Sequence, residues 1–147
     1  MKYVHTNLIA KDWKKLSLFY QRVFNCIPVP PERDLSWEWL DELTGIKNAK
    51  IVWEHLRLPW YWNNWPTLEI FSYPTMIELG KNLNNIGFCH IAFEVDEVKE
   101  TLNLVIENWW WVFWELVTKE YEWIGVATFV YCKDIEWNII ELQSWEK

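Results

Sequence analysis

Apolar and polar positions alternate along most of this chain in short runs, and the alternation gives way twice to helical spacing. Residues 3 to 10, YVHTNLIA, alternate and predict a strand. Leu16, Phe19, Tyr20, Val23 and Phe24 then follow the i, i+3, i+4, i+7, i+8 spacing of an amphipathic helix, which Asp12 can cap. The proline-rich IPVPPERD (27 to 34) predicts a loop, with at most a short edge strand. Segments near 36–43 and 50–58, and PTLEIFSY (66 to 73), predict further strands. PTMIELGKNLNN (74 to 85) holds proline, glycine and three asparagines, the composition of a connection.

The order then restarts. GFCHIAFEV (87 to 95) predicts a strand, and Asp96 can cap a helix with Val98, Leu102, Val105 and Ile106 on one face, ended by Asn108. Residues 112–118, 125–132 and 138–144 predict three more strands. The expected fold is therefore α+β, with two β-α-β-β-β modules in a single domain over 1–147. Module one runs to about 73, the connection spans 74–85, and module two runs from about 86.

Bulk properties narrow the functional classes. A net charge of −7 disfavours nucleic acid or an anionic membrane as partner. No apolar run reaches the roughly 18 residues that span a bilayer, and the N-terminal residues lack the pattern of a secretion signal. Cys26, Cys89 and Cys132 are odd in number and show no CxxC spacing, which predicts reduced thiols in a cytoplasmic protein. Fourteen Trp against four Gly inverts ordinary usage. Several Trp fall at turn positions where glycine is expected, including Trp137 and the runs PWYWNNWP (59 to 66) and NWWWVFWE (108 to 115). A bulky residue at positive φ costs on the order of 1–3 kcal/mol.

The candidate chemistry repeats with the modules. Each carries a His on its first strand, His5 and His90, and a Glu on its last, Glu69 and Glu141. A carboxylate inside an apolar strand costs several kcal/mol unless paired, hydrogen-bonded or metal-bound. If the modules pack by pseudo-twofold symmetry, the first strands lie centrally and two imidazoles and two carboxylates can share one cavity. Such donors suit Zn, Ni, Co, Mn or Fe(II). His55 and Arg57 could face the same way on their strand and contact an anionic substrate, with Arg33 a weaker candidate; an ordinary polar strand edge is the simpler reading of all three. Cys89 should point away from His90's face and is not counted as a ligand.

HTNLIAKDWKKLSLFYQRVF (5 to 24), TLEIF (67 to 71), CHIAFEVDEV (89 to 98) and DIEWNIIEL (134 to 142) together resemble the vicinal oxygen chelate superfamily over nearly the whole chain. That superfamily includes glyoxalase I, methylmalonyl-CoA epimerase, extradiol dioxygenases and fosfomycin-resistance enzymes. The resemblance implies a curved mixed sheet of paired βαβββ modules around one divalent metal ion, with His5, Glu69, His90 and Glu141 as ligands. This set is most similar to that of bacterial-type glyoxalase I. It implies a metal-dependent lyase or isomerase acting on a small substrate with vicinal oxygens through an enediolate-like intermediate. Glu141 would be the base and Glu69 the second candidate. A homodimer is also implied. The chain departs from glyoxalase I at Ile9, where an arginine usually holds the glutathione carboxylate, and at Ser72 and Tyr73, where an asparagine is expected. Trp137 replaces the glycine of the last motif. The competing readings are an epimerase-like isomerase, an Fe(II) ring-cleaving dioxygenase, and a non-catalytic resistance-type binder. The complete ligand set favours a lyase or isomerase of glyoxalase or epimerase type over the dioxygenase and the binder.

Overall fold

A computed structural model describes residues 1–61, 66–108 and 115–146. The chain divides into two units, Met1–Glu78 and Leu79–Lys147.

In the first unit the alternating residues after the N-terminus form β1 (His5–Ile9), followed by helix α1 (Trp13–Phe24). Asp12 accepts a hydrogen bond from the Lys15 backbone N–H at 3.1 Å, the N-cap that its side chain predicts. Asn25 closes the helix in the left-handed conformation. The periodic residues Leu16, Phe19, Tyr20, Val23 and Phe24 are all buried. They pack on β3 (Lys50–Arg57) and β4 (Thr67–Ser72), whose Leu56, Leu68 and Ile70 face the helix and are fully buried. Ser72 ties this layer together, donating to the Ala10 carbonyl at 2.6 Å and accepting from Trp13 N–H at 3.2 Å. With β2 (Ile27–Ser36) at the edge, strand order is β1-β4-β3-β2, with β1 parallel to β4 and the other pairs antiparallel.

Two expectations are corrected here. Residues 27–34 are not a loop: β2 (Ile27–Ser36) is a ten-residue strand. It lies at the sheet edge, where prolines remove no needed ladder bond, and its register slips between Val29 and Arg33. Residues 36–43 are not a strand: Glu38–Thr44 form a short helix, α2, closed by Gly45 at φ 71°. The alternating aromatics that suggest a strand, Trp37 and Trp39, are exposed, and Leu40 alone of the helix is buried. Asp41 fixes the following loop by accepting from the N–H groups of Asn48 and Ala49, both at 2.7 Å.

The second unit repeats the plan with β5 (His90–Glu94), α3 (Val98–Asn108), β6 (Val117–Tyr121), β7 (Gly125–Lys133) and β8 (Ile139–Glu146). Strand order is β5-β8-β7-β6, again with the first and last strands parallel. Each unit thus follows the expected β-α-β-β-β plan, with α2 added between β2 and β3 in the first. The strand expected at 112–118 runs instead from Val117 to Tyr121; residues 112–114 and Trp109, Trp110, Trp111, Trp62 and Trp65 lie outside the described residues. Trp60, Trp123 and Trp137 adopt φ values of 67°, 70° and 65°, the left-handed region that glycine favours. Among the described residues no helix is long and apolar enough to cross a membrane.

Candidate metal centre

Alternation along the strands places His5 on β1, His55 on β3 and Glu69 on β4 on the sheet face opposite α1. His55 stands directly across from Glu69 in the antiparallel register. Glu69 is 7% exposed, and its two oxygens are divided between the imidazoles. His5 Nε2 lies 3.0 Å from Oε2 and His55 Nε2 lies 3.2 Å from Oε1. The second nitrogen of His55, Nδ1, is 2.9 Å from the Thr67 hydroxyl. Burial, then the nearby charge of Arg33, pushes the His55 pKa down to about 4, so the ring is neutral near pH 7. A neutral imidazole has one N–H and one lone pair. With Nε2 carrying the hydrogen, His55 donates to Glu69 and accepts from Thr67 at Nδ1; the other tautomer suits a protonated Glu69. Burial pushes the Glu69 carboxyl up, and His5 and Arg33 oppose that shift.

The second unit builds the same corner from different residues. His90 lies on β5 and Glu141 on β8, with His90 Nε2 3.3 Å from Glu141 Oε2. The residue across from Glu141 is Tyr131, at the register position that His55 holds in the first unit. Its hydroxyl donates to Glu141, and that bond together with burial pushes its pKa up to about 12. The Tyr131 and His90 rings meet edge-on with centroids 5.3 Å apart.

The turn that sets Glu141's strand is built around buried Asp134. Its carboxylate accepts from the backbone N–H groups of Glu136 and Asn138, both at 2.9 Å, and from Asn138 Nδ2 at 2.8 Å. Lys81 donates to the Glu136 carbonyl at 3.0 Å and to Asn138 Oδ1. Trp137 therefore sits at positive φ inside a turn held by its neighbours.

The structure thus brings His5 together with Glu69 in one unit and His90 together with Glu141 in the other. Arg57 follows His55 by two positions and shares its face, across from Thr67. Cys89 donates to the Leu83 carbonyl at 3.2 Å. His55's place beside Glu69, and the roles of Tyr131 and Asp134, do not follow from the residue pattern, because all three depend on cross-strand register or turn geometry. A matched comparison of 55 with 131 between the two repeats would have been the signal.

Among the described residues no three His, Cys, Asp or Glu side chains form a ready metal cage. The imidazoles and carboxylates are instead closed on one another. The donor chemistry nevertheless fits a divalent ion. Ligand bonds of about 2.0–2.2 Å put neighbouring N and O ligands about 2.8–3.6 Å apart, from octahedral to tetrahedral angles. The three imidazole–carboxylate separations, 3.0, 3.2 and 3.3 Å, fall in that range.

Comparison with solved structures bears on this repeated arrangement. A glyoxalase-family protein from Bacillus cereus superposes with a TM-score of 0.77 at 15% identity, covering 100% of this chain and 94% of that one. The chain has the fold of this glyoxalase-family protein. A glyoxalase/dioxygenase from Nostoc punctiforme shares the fold with a TM-score of 0.63 at 17% identity, over 99% of this chain and 92% of its own. A fosfomycin resistance protein from Listeria monocytogenes, complexed with Mn(II) and sulfate, shares it at 0.51 and 17%, with 99% and 92% covered. No family model and no curated protein matches the sequence.

Proposed function

We propose that this chain is a divalent-metal-dependent lyase or isomerase of glyoxalase type, acting on a small substrate with vicinal oxygens. Its proposed metal ligands are His5, Glu69, His90 and Glu141. The observation that carries the reading is the repetition itself: an imidazole and a carboxylate meet at equivalent register positions in both units. The Mn(II)-bound fosfomycin resistance protein supports a divalent ion in this fold.

The ion would supply Lewis-acid stabilisation of negative charge developing on the substrate's vicinal oxygens. The protein's own part is to hold and move the proton. A base takes the proton from the carbon next to the carbonyl and returns it to the neighbouring carbon. Glu69 and Glu141 are the two candidates, and their surroundings differ. Burial favours the protonated form of Glu69, whereas Glu141 is held by a hydrogen bond from the Tyr131 hydroxyl. On these grounds Glu69 is the better proton acceptor and Glu141 the better-anchored ligand, reversing the order expected from the sequence.

Native mass spectrometry of the purified chain, before and after adding Mn(II) or Zn(II), tests the metal assignment and reports subunit number. A divalent ion lost on His5→Ala and on His90→Ala is the expected result; no ion after reconstitution overturns it. Turnover of 2-oxoaldehyde–thiol adducts then tests the reaction class, with oxygen uptake on a catechol as the result that would replace it with a dioxygenase.

A further inference from the structure

The first unit carries a feature that metal binding does not use. Arg33 on β2 lies across from Trp53 on β3, with its guanidinium carbon 4.4 Å from the indole centroid. Trp53 in turn meets the His55 ring with centroids 4.7 Å apart. Arg33 Nη1 and Trp53 Nε1 are both shut off from water, and both lack a hydrogen-bond partner among the described residues. Such orphaned donors are rare and costly in folded proteins, most of all on a charged group.

The neighbouring carboxylates do not serve this cation. Glu32 pairs with Lys14 at 3.7 Å and Asp34 with Lys50 at 3.1 Å. The register slip between Val29 and Arg33 inserts two residues into β2. This keeps Arg33 on the same face as Trp53 and His55 while aligning it across from Trp53. Its charge reaches the cluster, since it acts on both His55 and Glu69. The second unit has nothing comparable: by register its counterparts of Arg33 and Trp53 are Val117 and Phe129.

We propose that Arg33 and Trp53 form an oxyanion-binding subsite beside the His5–His55–Glu69 cluster, so that the substrate carries a carboxylate or phosphate-type group in addition to its vicinal oxygens. The anion accepts from Arg33 Nη1 and Trp53 Nε1, which gives both orphaned donors a partner. Arg33 is only half-buried overall, so a small rotation of its guanidinium presents Nη1 to a ligand arriving from the exposed side. The cation–π contact keeps the guanidinium over the Trp53 ring. The assignment rests on reading this cluster as the substrate site, yet the subsite can be measured without any metal.

The test follows the Trp53 indole N–H by NMR, assigned by its loss in Trp53→Phe, while the full-length protein is titrated with inorganic phosphate and separately with acetate. Saturable shifts are expected with at least one anion. A response to phosphate alone assigns a tetrahedral group, and a response to acetate alone assigns a carboxylate. Arg33→Gln should weaken binding by about tenfold or more, and Arg33→Lys by less, because a hydrogen bond to a charged group is at stake. Should Arg33→Gln fail to fold, Trp53→Phe removes the second donor and keeps the ring; calorimetric affinity should then fall by about twofold to tenfold. No shift with either anion, or an affinity unchanged in these variants, overturns the subsite. Arg33→Gln should not lower Zn(II) affinity, because it removes a positive charge near Glu69. Anion binding that survives in a protein unable to bind metal would sink the proposed function and leave the subsite standing.

Discussion

The two units place an imidazole and a carboxylate at the same register positions but surround them differently. In the first, Glu69 is gripped by His5 and His55, with Arg33 and Trp53 beside them. In the second, Glu141 meets His90 and a tyrosine hydroxyl, and the flanking positions are Val117 and Phe129. A duplicated scaffold has kept the imidazole–carboxylate pair and let the third residue diverge. One copy thereby carries more cationic and donor character, and the other a phenol hydrogen-bonded to its carboxylate. The difference predicts a division of labour: proton transfer and anion recognition on the first unit, anchoring on the second.

The largest effect should come from replacing each of the two carboxylates by an amide. Glu69→Gln should lower kcat by about 10²–10⁴-fold, the range for loss of a general base, with metal content largely kept. Glu141→Gln should lower metal affinity together with turnover. Steady-state kinetics paired with metal analysis checks this, and the reverse pattern would restore Glu141 as the base.

The helices offer a second contrast. Helix α1 buries seven residues, whereas α3 buries only Val98 and Val105. Leu16→Ala in α1 should cost about 2–5 kcal/mol by urea unfolding, and Val105→Ala less, because fewer methyl groups and a smaller cavity are involved. Equal losses would show that α3 supports its unit as firmly as α1 does.

Beneath α1 lies a third difference: Glu54, on the helix-facing side of β3, is buried, whereas its register counterpart in the second unit, Val130, is apolar. Burial pushes the Glu54 pKa up, opposed by a hydrogen bond from Ser17. The folded state therefore holds this proton more tightly than the unfolded chain. Its contribution to stability is present at low pH and is lost as pH rises from the unfolded value through the raised one. Glu54→Gln should raise Tm at pH 7, with a smaller gain at pH 5. A gain that does not shrink on acidification would mean that Glu54's charge is not the cause.

The smallest effect concerns the turns. Trp60 in the first unit and Trp123 in the second are 94% and 96% exposed at φ 67° and 70°. Their rings contribute little packing, while a left-handed non-glycine residue costs about 1–2 kcal/mol. Trp60→Gly and Trp123→Gly should each raise Tm by a few degrees, on the order of 1 kcal/mol once the entropy cost of glycine is included. Differential scanning calorimetry checks both.

How much of this was legible depended on the range of the interaction. Local signals read well: Asp12 caps α1, the helical stripe is its buried face, and the strand order repeats. Residues 36–43 misled because Trp37 and Trp39 alternate like a strand yet face solvent, while Asp41 and Gly45 organise a helix end. The prolines of 27–34 suggested a loop because a pattern cannot show that the segment is a sheet edge. His5, Glu69, His90 and Glu141 stood out by repetition. Tyr131 did not, because it meets Glu141 only across a ten-residue hairpin register, and Arg33 acquires its neighbour through a register slip that no periodicity records.

Each unit pairs its first strand with its last, in parallel. A nascent chain leaving the ribosome therefore carries His5 for most of a unit's length before Glu69 appears, and His90 likewise waits for Glu141. Neither pair can form locally, and each closes only when the final strand slides in beside the first. The imidazole–carboxylate contacts are thus the last pieces of each unit to be set. A chain truncated before β4 or β8, or one stalled short of that closure, would have no paired donors. Metal uptake would then serve the cell, and the experimenter, as a report that synthesis and folding have both finished.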